Sequence, residues 1–159
     1  MKYTCTIDIH LPRERVITLF DDPANLKRWQ PTLRNFERLD GVPGTVGARS
    51  RLTYRNKEGG REMVMTETVT VRELPDRFAG TYTMDGVWNL VDNHFDAVDE
   101  ELTRWTAAVE FKFTNPFLSL LGWVIPGMFR NQTQKFMKQF KDFAENQTDE
   151  GLERTRMDR

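Results

Sequence analysis

The chain of 159 residues is short of several things at once. It has one cysteine, Cys5, and two histidines, His10 and His94. A lone cysteine closes no internal disulfide, which fits a reducing, cytoplasmic setting. With the histidines at no ligand-like spacing, neither a zinc site nor any other metal or cofactor is expected. No apolar run approaches the roughly 18 residues that cross a bilayer, so stable membrane insertion is not expected. Met1-Lys2-Tyr3-Thr4-Cys5 alternates in character and lacks the apolar core of a signal peptide. A net charge of −1 leaves no basic footprint for nucleic acid. Ser50 and Ser119 stand in no nucleophile-elbow context. Gly41, Gly44 and Gly47 lead into a strand rather than a helix, so turn geometry explains them better than a phosphate cradle.

What is present is bulky. Phe 11, Trp 4, Tyr 3 and Met 7 outweigh Val and Ile, on a chain whose mean hydropathy is −0.62. Such side chains fill a core or line a cavity, and composition does not choose between the two. The length suits one domain. Residues 3–10 alternate as a half-buried strand, and Pro12 opens a helix carrying Val16, Leu19 and Phe20. Asp22-Pro23 reads as an N-cap and first helical residue of a second short helix with Leu26 and Trp29, ended by Gln30-Pro31. A period of two then marks strands at 33–40, 47–55, 61–74, 77–85, 87–97 and 102–114, separated by turn chemistry at 41–44, 56–60, 75–76, 85–86 and 99–101. Short connections imply antiparallel neighbours, hence a meander. Helical period returns from Asn115-Pro116, with a kink or break expected at Pro126-Gly127 and an amphipathic stripe over 128–145. Residues 146–159 are charged and are expected to form a disordered tail after a domain at 1–145.

Ile9-His10-Leu11-Pro12, the run Arg13 to Pro23, Trp29-Gln30-Pro31, Gly44-Thr45-Val46-Gly47 and Phe129-Arg130-Asn131-Gln132-Thr133 together resemble the START-like (SRPBCC) helix-grip family. That group includes polyketide cyclases/dehydrases, Bet v 1-like plant proteins and coenzyme-Q-binding proteins. The resemblance spans about residues 2–145. It implies an α+β fold in which a curved seven-stranded antiparallel sheet wraps a long C-terminal helix, with a cavity between them for a hydrophobic or amphipathic small molecule. Some members cyclise or dehydrate; many bind or carry. The family has no shared catalytic signature, so no catalytic residue carries over by motif.

The strand faces name the candidate wall: Leu52 and Tyr54; Met63, Met65, Val69 and Val71; Phe78, Tyr82 and Met84; Trp105, Val109, Phe111 and Phe113. Trp29, Met128 and Phe136 join them from the helices, and the small Gly80 and Ala107 would leave space. Glu67 falls in register with the apolar face of its strand, where an unpaired carboxylate is costly. Strand 87–97 offers either Asp92 and His94 or Asn89 and Asn93 to the interior. Glu67 with His94 or Asp92 could form an acid–base set; the plainer reading pairs Glu67 with an arginine at the rim and leaves His94 on the surface. The expected function is binding or transport of a lipid, isoprenoid or aromatic polyketide-like molecule, with a cyclase/dehydratase enzyme as the alternative. The apolar stretch 115–128 roofs the cavity, or else forms a transient membrane contact or a weak homodimer contact on an otherwise monomeric protein.

Overall fold

Alternation builds β1 (Lys2–Ile9), which buries Tyr3, Cys5 and Ile9. In the computed structural model, residues 1–55 and 59–157 are described, apart from the side chains of 121, 122 and 148–157. Pro12 precedes α1 (Arg13–Phe20), and its carbonyl accepts from the backbone N–H of Arg15 and Val16. Val16 and Leu19 are the buried stripe of α1. Asp22 then caps a short 3-10 turn, Pro23–Asn25, by accepting the Ala24 N–H at 2.9 Å. The turn runs into α2 (Leu26–Trp29).

Six strands follow: β2 (Leu33–Asp40), β3 (Arg49–Tyr54), β4 (Met63–Glu73), β5 (Arg77–Met84), β6 (Val87–Asp99) and β7 (Leu102–Phe113). All neighbours pair antiparallel in the order β1-β7-β6-β5-β4-β3-β2, so the meander from β2 to β7 receives β1 on its far side. The turns are where the Gly and Pro punctuation places them. Gly41 has φ +83°, and a Cβ there would stand 2.8 Å from Ala48 Cα, so only glycine fits this reversal. Part of the turn expected at 56–60 lies outside the described residues.

The last helical region breaks at Ile125, between α3 (Pro116–Val124) and α4 (Pro126–Met157). Pro126 has no N–H for the i−4 carbonyl, so it starts a new helix. The sequence reading ends this helix at 145, yet α4 runs through the charged segment to Met157; Asp158 and Arg159 lie outside the described residues. Glu, Gln, Arg, Leu and Met are all strong helix formers, which favours helix through this segment.

α4 docks along β1. The Tyr3 hydroxyl donates to Phe129 O at 3.1 Å, the Gln134 side chain donates to Thr6 O at 3.3 Å, and Lys141 Nζ donates to Asp8 O at 2.7 Å. Met137, Phe140 and Ala144 are buried beneath it. The core splits into two clusters. The larger joins β1, α1, β6, β7 and α4 through Ile9, Val16, Phe95, Trp105 and Phe140. The smaller is Leu33, Leu52 and Tyr54, with Met65 and Phe136 packed against it.

Candidate functional site

Directly paired residues of antiparallel strands share a face, so the register sorts the inner face into rows. Phe95 faces Trp105 and Ile7 at one end. Arg72, Phe78, Asn93, Ala107 and Cys5 form the next row, then Val69, Gly80, Val91, Val109 and Tyr3. The following row is Ser50, Glu67, Tyr82, Asn89 and Phe111. Beyond it Leu52, Met65, Val87 and Phe113 bring the sheet to its open end. The row of Ser50, Glu67, Tyr82 and Asn89 thus places four polar side chains together, between rows that are mainly apolar.

The first rows are packed solid. Phe20 of α1 stands with its ring centroid 5.0 Å from Phe95, 5.6 Å from Trp105 and 5.8 Å from Phe140, edge to face in each case. Such contacts add about 0.5–1.5 kcal/mol per pair beyond area burial. Asn93 is spent in holding this end: it donates to Phe78 O at 3.2 Å and accepts the Trp105 indole N–H at 2.9 Å. Trp29 is buried beside Phe140, with centroids 5.3 Å apart.

Further along, burial falls although the residues still face inward. Met65, Glu67, Tyr82, Asn89, Val91, Phe111 and Phe113 are half-buried, as is Phe136 on α4. They form an accessible strip between the two core clusters. Phe111, Phe113 and Phe129 make its wall on the α4 side, with centroids 4.9 to 5.9 Å apart. Met63, Met84 and Met128 are exposed at its end. Two surface clefts, each of about 460 Å³, lie elsewhere: one between Asp85 and Leu118, the other between α2 and α4 at Trp29, Pro31 and Phe143.

Glu67 sits within this strip. The Tyr82 hydroxyl hydrogen-bonds to its carboxyl, and the Tyr54 hydroxyl donates to Gln30 Oε1 at 2.7 Å close by. Burial pushes the Glu67 carboxyl above its ordinary value, and the Tyr82 bond opposes this only in part. Burial and the neighbouring Glu67 charge also push both tyrosine hydroxyls up. Gly80 lies beside this pair: a Cβ on it would make ordinary contact with the Tyr82 hydroxyl at 3.8 Å and Glu67 Cγ at 3.9 Å, its nearest neighbour being the backbone oxygen of Thr68 at 3.3 Å.

The structure rearranges the candidate residues. Asp92 and His94 pair with Ala108 and Thr106 on the outer face, so neither meets Glu67 and the acid–base set with them is excluded. Asp92 instead accepts both Arg77 Nε at 2.9 Å and Arg77 Nη2 at 2.8 Å; this hydrogen-bonded arginine holds its carboxyl below the usual range, with His94 3.3 Å away. Glu67 also has no arginine partner at the rim; its partner is Tyr82. Trp29, Leu52, Tyr54, Trp105 and Val109 are buried in the packed clusters, whereas Met63, Met84 and Met128 stand at the rim; Phe78, half-buried, ends at the closed side against Phe20. A bulge between Val69 and Val71 turns Val71 off the inner face and brings Arg72 onto it, where Asp21 accepts its guanidinium at 2.7 and 2.6 Å. α3 does not roof the strip, since Phe117 is 68% and Trp123 82% exposed. Ser50 shares the alternating face of Leu52 and Tyr54, whereas Gln30 and Phe129 lie on no strand, so strand alternation leaves them unmarked. Register against Glu67 marks Ser50, and contacts with Tyr54 and Phe111 mark Gln30 and Phe129.

The profile of the family described as polyketide cyclase/dehydrase and lipid transport matches residues 1–145. No curated protein matches the sequence. Among solved structures, a protein of Thermus thermophilus superposes with TM-score 0.73 at 18% identity, covering 92% of this chain and 98% of its own. The ZhuI aromatase/cyclase of Streptomyces sp. R1128 gives 0.73 at 16%, covering 93% and 95%. Ara h 8.0201 gives 0.72 at 11%, covering 92% and 98%. At these identities the likeness is one of fold. Among the described residues no helix is long and apolar enough to cross a membrane.

Proposed function

This chain belongs to the polyketide cyclase/dehydrase and lipid transport family, and from that premise we propose that it binds and carries an apolar or amphipathic small molecule in a hollow over the accessible strip. The observation that carries this reading is the strip itself. Side chains such as Met65, Val91, Phe111 and Phe136 face the helices yet keep access to solvent, between two clusters that bury their own members fully. Apolar side chains left half-covered inside a fold lose free energy that a ligand of similar character restores. Lipid, isoprenoid and aromatic polyketide-like bodies all suit such a wall. The working unit is residues 1–145, acting in the cytoplasm as a monomer or weak homodimer. Native mass spectrometry of the purified protein is expected to carry a co-purifying ligand. Val91→Trp separates a hollow from a packed core. In a hollow the indole is accommodated, the melting temperature holds, and affinity for the neutral apolar dye Nile red falls about tenfold. In a packed core the same change costs about 1–3 kcal/mol of stability, and that result overturns the proposal.

A second reading, an enzyme of cyclase/dehydratase type, draws on one observation: the Glu67 carboxyl, raised by burial, lies bonded to the Tyr82 hydroxyl within the strip. Such a pair can pass a proton to or from a carbonyl substrate. Under this reading Glu67→Gln abolishes turnover while Nile red affinity stays, and His94→Ala, on the outer face, leaves turnover untouched.

A further inference from the structure

Two asparagines face inward from β6, and only one is used by the fold. Asn93 holds both Phe78 O and the Trp105 indole, while Asn89 Oδ1, four residues back, is buried and has no hydrogen-bond partner among the described residues. Asn89 is paired with Tyr82, and Tyr82 with Glu67, which faces Ser50. These four lie about 7 Å in from the row of Met65, Val87 and Phe113 at the open end, two residues along each strand.

We propose that Ser50, Glu67, Tyr82 and Asn89 form a head-group subsite that takes an uncharged hydroxyl, an alcohol or phenol on an apolar body, and turns away carboxylates. The inference rests on the reading of the strip as a ligand hollow. Its first ground is the balance of donors and acceptors. The Tyr82 proton is given to Glu67, so Glu67, the Tyr82 oxygen and Asn89 Oδ1 all present acceptors. A ligand hydroxyl can give its proton to Asn89 Oδ1 or Glu67 and accept one from Ser50. A carboxylate has no proton to give.

The second ground is charge. Among the described residues no cation faces Glu67 from the elements around it. α2 brings Gln30, bonded to Tyr54, and α4 brings Phe136 beside the same tyrosine. Tyr54 and Tyr82 are themselves acidic groups, pushed up and uncharged at neutral pH. Arg38, at the edge of the row opposite Ser50, is exposed to solvent, and Arg72, two rows away, is held by Asp21. α3 bears no charged residue. An anionic head entering here finds a carboxyl and no counter-ion. Acidification that protonates Glu67 removes the repulsion, so discrimination weakens as pH falls.

Calorimetric titration at neutral pH with naphthol and naphthoate tests this on one apolar body. Naphthol is expected to bind about tenfold or more tightly than naphthoate, a margin on the scale of one charge-assisted hydrogen bond. Glu67→Gln is expected to bring that ratio near one, mainly by admitting naphthoate, and Asn89→Leu to weaken naphthol alone. Equal or tighter naphthoate binding, or an unchanged ratio in Glu67→Gln, overturns the assignment. Nile red separates the two levels. If it binds while naphthol and naphthoate bind alike, the subsite alone fails; if neither dye nor naphthol binds, the hollow fails with it.

Discussion

The two ends of the inner face are built from the same residue types and end up in different states. At the closed end, Phe20 and Phe140 meet the stacked pair Phe95 and Trp105 edge to face and leave nothing exposed but part of Phe20. At the open end, Phe111, Phe113 and Phe129 stack equally well yet stay half-buried, and Met84 and Met128 reach solvent. The difference lies in what covers them. α1 and the buried face of α4 converge over β6 and β7 at the closed end, whereas at the open end α3 meets the end of β7, where Ser119 donates to Phe113 O at 3.4 Å, and leaves Phe117 and Trp123 exposed. Bulky side chains make a core only where a second layer meets them. Elsewhere the same side chains make a wall.

Substitutions at the two ends are expected to divide accordingly. Phe140→Ala, at the centre of the closed end, is expected to cost about 3–5 kcal/mol in urea unfolding, since it opens a void among four aromatic rings. Met84→Ala at the rim is expected to cost about 0.5 kcal/mol while changing Nile red affinity. Similar stability costs for the two would erase the contrast between core and wall. The smallest effect lies between them, at Glu67. Its folded carboxyl holds its proton more tightly than the unfolded chain does, so the native state binds more protons in that window. Stability is therefore expected to fall as pH rises from about 4.3, the ordinary glutamate value, through the raised folded value. Glu67→Gln should flatten that slope in a pH series of melting curves. A slope unchanged in the variant would place its origin elsewhere.

Much of this was legible beforehand. Alternation placed all seven strands, and Asp22-Pro23, Pro12 and Pro126 placed the helix starts, because these signals are local. The inward orientation of Glu67 and Tyr82 also followed from period two within a single strand. The inward face of β6 did not. Val87 to Asp96 is mixed on both faces, so its orientation came from pairing Asn93 with Ala107 and Phe95 with Trp105. The bulge after Val69 was equally invisible, since one extra residue shifts the alternation without any mark in composition. Nor could the sequence separate Trp105 from Phe111, which share a face and a chemistry but differ in the helix above them.

By itself, then, the sequence determined the order of elements, the meander and, except past the bulge at Val69, which side chains share a face within a strand, all properties of neighbours along the chain. Only the tertiary structure decided which of those side chains are core and which are wall, and that Glu67 answers to Tyr82 rather than to His94 or an arginine. Burial and pairing depend on what crosses overhead and on strand register, and both are set by residues far apart in the chain.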